Sequence, residues 1–219
     1  MSTPRPHVMV LNAGGLRSLV TTALLLNQPD PVRLTLLYVR DGRPATDKRL
    51  EHCRQQADHY ANVGFEEIEG GLLFAKPTDR RADGVPEATL ATPRLLMAAM
   101  AHAIDRRAQR LAWPIAVDGA APPMAAAQET QLLLHQLADL ETQTAGLADV
   151  PELTLPLLSY TDRQLIELGS GLGVPWELAW SCVEKNPAAC GNCPACVRRQ
   201  KAFKSAGVVD PMRTPVARR

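Results

Sequence analysis

The run His7-Val-Met-Val-Leu11 is apolar without interruption, which suits a short buried strand. It stops at Asn12-Ala13-Gly14-Gly15, and the stretch Ser18 to Asn27 that follows carries helical spacing, so the opening reads as strand, tight loop, helix. The same reading predicts strands over Arg33 to Val39, Phe65 to Ile68, Leu111 to Val117 and Glu152 to Leu155. Helical patterns cover about Thr46 to Asn62, Ala88 to Arg110 and Met124 to Thr144, then Thr161 to Leu172 and Pro194 to Ala206. Strands alternating with helices predict an α/β fold in which helices flank a parallel sheet. In open sheets of that kind ligands bind beyond the carboxyl ends of the strands. Asn12 to Ser18 and the loop Asp118 to Pro123 are therefore expected to wall a pocket together with the helix that starts near Thr161. A polar loop, Lys76 to Pro86, also stands out.

The C-terminal part carries the most specific chemistry. Cys182, Cys190, Cys193 and Cys196 include the run Cys-Gly-Asn-Cys-Pro-Ala-Cys. A structural Zn²⁺ takes four soft tetrahedral ligands, and ligands a few residues apart reach one ion through a tight turn. Gly191 suits that turn, and Pro194 suits the first turn of a helix carrying Cys196. Four thiolates on Zn²⁺ leave about two negative charges, which Lys185, Arg198, Arg199 and Lys201 are near enough in sequence to offset. Disulfides fit poorly, because three of the cysteines crowd together in a chain with no export signal. Cys53 reads as a lone half-buried thiol.

Composition narrows the function classes. The 219 residues are 46% hydrophobic and 21% charged, ordinary for a globular protein. The formal charge of +1 supplies no general field for nucleic acid or a membrane surface. No apolar run approaches the roughly 20 residues needed to span a bilayer, so a cytoplasmic protein is expected. His7, His52, His59, His102 and His135 are not paired at ligand spacing, and no second metal site is read from them. Arg94 reads as surface helix, Asp41 and Asp118 as turn or cap residues, and Trp180 as a cover for the metal site. Most of the C-terminal cations, Arg198, Arg199, Lys201, Lys204, Arg213, Arg218 and Arg219, read as a solvated face.

Ala13, Gly14, Gly15, Arg17 and Ser18 lie between a strand and a helix N-terminus, where backbone amides and the helix dipole favour an anion. Pro156-Leu157, Gly171-Leu-Gly-Val-Pro175, Trp180-Ser181-Cys182, the Cys190 to Cys196 run, Arg199, Ala202-Phe203, Gly207 and Asp210-Pro211 follow in order over about 55 residues. Together they resemble the C-terminal half of the 7-cyano-7-deazaguanine synthase family of PP-loop ATP pyrophosphatases. The family's N-terminal Ser-Gly-Gly-x-Asp-Ser loop falls on Ala13 to Ser18. The resemblance implies a PP-loop core over residues 1–155 and a zinc-bound helical element over 156–219, forming one compact unit. It implies a ligase of queuosine biosynthesis that uses ATP, Mg²⁺ and ammonia to turn a 7-carboxy-7-deazaguanine carboxylate into an amide and then a nitrile. Gly14, Gly15 and Ser18 would bind pyrophosphate, and zinc would be structural. A deazapurine or nucleotide is then the small-molecule partner, while a protein partner or homo-oligomer stays open.

The chain departs from that pattern at several places. Ala13 replaces the first loop serine, Arg17 the acidic loop residue, and Asp162 a lysine that opens the helix after Pro-Leu. The Tyr-Pro-Asp-Cys-Arg signature is absent where Pro122-Pro123-Met124-Ala125 stands, and the Tyr-Gly-Gln-x-His block reduces to Tyr38-Val-Arg-Asp-Gly42. Arg17 and Asp162 would compensate each other if they met in space. A guanidinium at Arg17 argues against ATP-Mg²⁺, so a catalytically degenerate binding or partner subunit is the alternative reading.

Overall fold

The computed structural model describes residues 5–42, 45–70, 91–145 and 149–212. The chain runs β1 (His7–Leu11), α1 (Leu16–Leu26), β2 (Arg33–Arg40), α2 (Thr46–His59), β3 (Val63–Glu69), α3 (Ala91–Asp105), β4 (Arg110–Ala112), α4 (Ala121–Ala145), β5 (Glu152–Thr154), α5 (Asp162–Gly171) and α6 (Pro194–Ala206). All neighbouring strands are parallel, in the order β3-β2-β1-β4-β5. β1 lies in the centre with every residue buried, as its unbroken apolar run requires. β3 is an edge strand, and its acidic residues mark that position: Glu66 meets His102 and Arg106, and Glu67 meets Arg40 and Arg54.

Helices cover both faces. One core joins Met9, Leu11 and Leu37 to Leu96 and Met100 of α3 and Leu134 of α4. On the other side Leu19 and Val20 of α1 pack with Leu165 and Ile166 of α5, with Trp176, and with Phe203 of α6. Along α4, Leu132, Leu133, Leu137 and Leu140 are exposed. No described helix is long and apolar enough to cross a membrane.

Three sequence expectations shift. β4 ends at Ala112 instead of Val117: the Trp113 amide still donates to Thr154 O at 2.9 Å, but Pro114 has no N–H with which to continue the ladder. α3 stops at Asp105, followed by Arg107 in a left-handed conformation at φ 51°, so Arg106 to Arg110 are a connection and a strand start. α4 starts at Ala121 and takes Pro122 and Pro123 into its first turn, where missing amide donors cost nothing. The loop Lys76 to Pro86, the Ala88 start of the third helix, and Arg213, Arg218 and Arg219 lie outside the described residues.

Candidate functional site

The order of strand addition reverses between β1 and β4: the chain steps outward from β1 to β2 to β3, then crosses back to β4 on the other side of β1. At such a switch point the loops leaving adjacent strands part, and a crevice opens over their carboxyl ends. Here it is a cleft of about 540 Å³, lined among others by Asn12, Arg17, Tyr38, Trp113, Asp162 and Arg198. The loop Asp118 to Pro123 was expected as a wall, but Trp113, Pro114 and Ile115 take that place, because β4 ends early. Asp118 instead holds the start of α5, its Oδ1 accepting from the Asp162 amide at 3.0 Å.

The glycine loop is tightly braced. Asn12 Oδ1 accepts from the Gly14 amide at 2.7 Å, and Asn12 Nδ2 donates to Gln56 Oε1 at 3.0 Å. Gly14 has φ 71°, and a Cβ there would come within 2.6 Å of the Arg49 carbonyl oxygen, so glycine is required twice over. Ala13 is exposed, while Ser18 is buried and donates through its hydroxyl to Gly15 O at 3.1 Å. The Gly14 amide is thus engaged by Asn12. The first turn of α1 leaves the amides of Leu16, Arg17 and Ser18 without helical acceptors at the cleft. Cys53 is fully buried, not half-buried, and lies 3.4 Å from Asn12 Oδ1; burial pushes its thiol far up, so it is an inert packing group.

Arg17 does meet Asp162, at 3.7 Å. Asp162 is also gripped by Arg198 through both its Nε and its Nη2, the latter at 2.9 Å. Two guanidiniums therefore share one carboxylate in the cleft wall. Burial first, and then the Arg198 charge, draw the Arg17 pKa below the usual guanidinium value, with Asp162 opposing. Asp41, the other carboxylate lining this cleft, is 2% exposed and engaged within the fold. A Mg²⁺ ion takes near-octahedral oxygen ligands. These residues do not fit it, since the loop position that would offer a carboxylate carries a cation and Asp162 is already held by two guanidiniums, one positive charge more than it can neutralise.

The four C-terminal cysteines form a second centre beside this cleft. Their sulfurs all lie within 4.8 Å of one another, Cys182 Sγ to Cys190 Sγ at 3.5 Å and Cys190 Sγ to Cys196 Sγ at 4.0 Å. Thiolates at ~2.3 Å around a tetrahedral ion stand about 3.8 Å apart, so the set could hold one metal ion. Gly191 turns the chain at φ 78°, and Cys193 precedes Pro194 at the start of α6. The Cys190 amide faces Cys182 Sγ at 3.5 Å and the Cys193 amide faces Cys190 Sγ at 3.4 Å. Burial raises the Cys190 thiol, but the amides of Asn192 and Cys193 together with the Cys182 and Cys193 thiols bring it down to about 7. Burial raises Cys182 and Cys196. Trp180 packs on this cluster.

Arg198 and Arg199 do not act as the general counter-charge expected of them. Arg198 is committed to Asp162. Arg199, with its side chain wholly buried, pairs with Asp210 at 2.8 Å and donates to the carbonyls of Trp176 and Ala179. The segment between the two centres is strapped down as well: the Trp180 amide donates to Gly14 O at 2.7 Å, and Gln56 Nε2 donates to Leu178 O at 2.8 Å. His52 stacks on Trp180 with ring centres 5.4 Å apart, and burial lowers its pKa. Gln56, which couples loop to strap, was not singled out from the sequence, and Asn12 was named only as the start of the Asn12 to Ser18 wall. The available signal for Gln56 was its position three residues after Cys53, on the same face of the predicted second helix.

Comparison with known proteins agrees with this arrangement. The family model described as "Queuosine biosynthesis protein QueC" matches residues 135–207. A 7-cyano-7-deazaguanine synthase from Chlorobium luteolum is 25% identical over 93% of this chain and 94% of its own length. One from Nostoc punctiforme is 46% identical over 61 residues, 28% of this chain and 27% of that protein. Among solved structures, the U34-tRNA thiolase NcsA from Methanococcus maripaludis with its [4Fe-4S] cluster superposes with a TM-score of 0.50 at 14% identity. That match covers 92% of this chain and 64% of the thiolase, and at that identity it speaks for the PP-loop type fold alone.

Proposed function

We propose that this chain, a divergent member of the 7-cyano-7-deazaguanine synthase family, is an ATP-dependent carbon–nitrogen ligase that converts a 7-carboxy-7-deazaguanine type carboxylate to an amide and then a nitrile with ammonia. The observation that carries the reading is the strapping of the cysteine centre onto the glycine loop through the Trp180 amide and Gly14 O, at the sheet's switch point. One cleft is thereby walled by both halves of the chain that resemble the family. In this reading the carboxylate oxygen attacks the α-phosphorus of ATP and pyrophosphate leaves. Ammonia then displaces AMP to give the amide; the amide oxygen attacks a second ATP, pyrophosphate leaves, and departure of that oxygen as AMP with loss of the two amide protons gives the nitrile. The N-terminal amides of α1, with Arg17 and Arg198, offset the charge of the departing pyrophosphate.

The cysteine centre is taken to hold one structural Zn²⁺, because four sulfurs within 4.8 Å of one another can fill all four tetrahedral positions and leave none open. Residues 1–155 would form the nucleotide core and 156–219 the metal-bearing element, folding as one unit because α5 packs on both α1 and α6. Incubating the full chain with ATP, ammonium and 7-carboxy-7-deazaguanine, with and without magnesium, is expected to yield AMP and the nitrile by mass spectrometry. Neither product under either condition would overturn the ligase reading in favour of a binding or partner subunit. Elemental analysis is expected to give one zinc per chain; iron with acid-labile sulfide would replace zinc in this account.

A further inference from the structure

The relation between Arg17, Asp162 and Arg198 carries an inference about how the cleft takes its anionic ligand. Across the glycine loop the wall holds two guanidiniums and one carboxylate, a local excess of one positive charge. The side chain of Arg17 is 32% exposed and that of Asp162 is 21% exposed, so this charge stands at the cleft surface and is partly shielded from bulk water. The 3.7 Å approach of Arg17 to Asp162 is longer than the 2.9 Å contact made by Arg198, so Arg17 is the less tightly committed of the two guanidiniums. A second observation points to a ligand. Trp180 lines the same cleft and is 7% exposed, and its indole Nε1–H has no hydrogen-bond partner among the described residues. A buried donor without an acceptor is costly and calls for one. Leu16, Arg17 and Ser18 add amides at the N-terminus of an eleven-residue helix.

Among the described residues of this cleft a divalent cation has no comparable place. It would have to enter beside Arg17 and take Asp162 away from two guanidiniums. A guanidinium, in contrast, can bind phosphate oxygens directly and in pairs. We propose that Arg17 takes the place of a divalent cation in this cleft, so that a pyrophosphate-class anion, free or as the phosphate chain of a nucleotide, is bound on Arg17 and Arg198 without a metal ion. The proposal rests on reading the cleft as a phosphate-binding site and is independent of whether the ligase reaction proceeds.

Calorimetric titration of the full chain with inorganic pyrophosphate, in EDTA and again in magnesium, tests it. Binding in EDTA is expected to be at least as tight as in magnesium. Arg17→Ala and Arg198→Ala, each checked for native circular dichroism, are expected to weaken binding in EDTA about tenfold or more. Arg163→Ala, which removes an exposed pair with Glu167 outside the cleft, is expected to leave binding unchanged. Binding seen only with magnesium, no binding in either buffer, or an unaltered affinity in Arg17→Ala would each overturn the proposal. If an arginine variant fails to fold, the comparison of EDTA with magnesium on the unaltered protein still decides. Nitrile formation that strictly requires magnesium, with no pyrophosphate binding in EDTA, would sink this inference while leaving the ligase reading intact. Metal-free binding without any nitrile would do the reverse.

Discussion

Arg199 illustrates how a single residue is decided by its surroundings. It lies on α6 beside the exposed Arg198, yet its guanidinium is enclosed among Asp210, two backbone carbonyls and the ring of Phe203 at 5.2 Å. Removing one partner of such a buried pair leaves a charge and two carbonyls unpaired. Arg199→Met is therefore expected to lower the unfolding free energy by about 3–5 kcal/mol, measured by urea denaturation. Arg199→Lys would recover part of the loss, because an ammonium keeps the charge but cannot reproduce the planar fork. Replacing Arg163, whose pair with Glu167 is solvent-facing, is expected to cost less than about 1 kcal/mol. Equal losses in Arg163→Ala and Arg199→Met would show that this account of Arg199 is mistaken.

At the scale of elements, α5 packs against both α1 and α6. Its start is fixed by a capping box in which Thr161 and Gln164 satisfy each other's backbone amides. The Asp118 contact holds the same end against the loop after β4. Its far end is made thin at Gly169, where a Cβ would fall 2.3 Å from Trp176 Cη2 and 2.9 Å from Val20 Cγ2. Glycine is normally a weak helix former, but here its missing side chain lets α1, α5 and the Trp176 ring come together. Gly169→Ala is expected to destabilise the protein by about 1–3 kcal/mol through overpacking, despite alanine's better helix propensity. A rise in melting temperature for that variant would show that the packing yields.

For the whole molecule, pH offers a test of burial. His7 is 5% exposed, its Nε2 lies 2.9 Å from Thr35 Oγ1, and burial followed by the Arg33 charge lowers its pKa from the ordinary 6.5. Burial lowers His52 in the same way. A histidine kept neutral in the fold binds fewer protons than in the unfolded chain once the pH drops. Its contribution is whole above about pH 6.5 and is lost as pH falls from there toward the lower folded value. Unfolding free energy is thus expected to decline from pH 7.5 to 5.5, by at most about 1.4 kcal/mol per pH unit for each such histidine. His7→Leu should flatten its share of that slope. An unchanged slope in urea titrations of the variant would place the acid sensitivity elsewhere, for instance at the thiols.

Much of this protein was determined by its sequence. The apolar run of β1, the glycines after it and the helix signals along the chain were enough for a parallel α/β sheet, because buried parallel strands and amphipathic helices leave periodicities that no tertiary contact is needed to reveal. The cysteine spacing was likewise enough to bring four sulfurs together, since local turns set the distances among three of them. Strand and helix ends were less legible, as at Ala112 and Ala121, because prolines act on the hydrogen-bond ladder in ways that depend on which neighbour is present. Of the charge partners only Arg17 and Asp162 were legible, as two reversed charges that would compensate if they met. That Arg17 and Arg198 share Asp162, that Arg199 turns inward to Asp210, and that Asn12 and Gln56 brace the glycine loop are facts of packing between elements far apart in the chain. Such pairings depend on where the folded backbone delivers each side chain and on what burial makes costly to leave unpaired, and only the tertiary structure decides both.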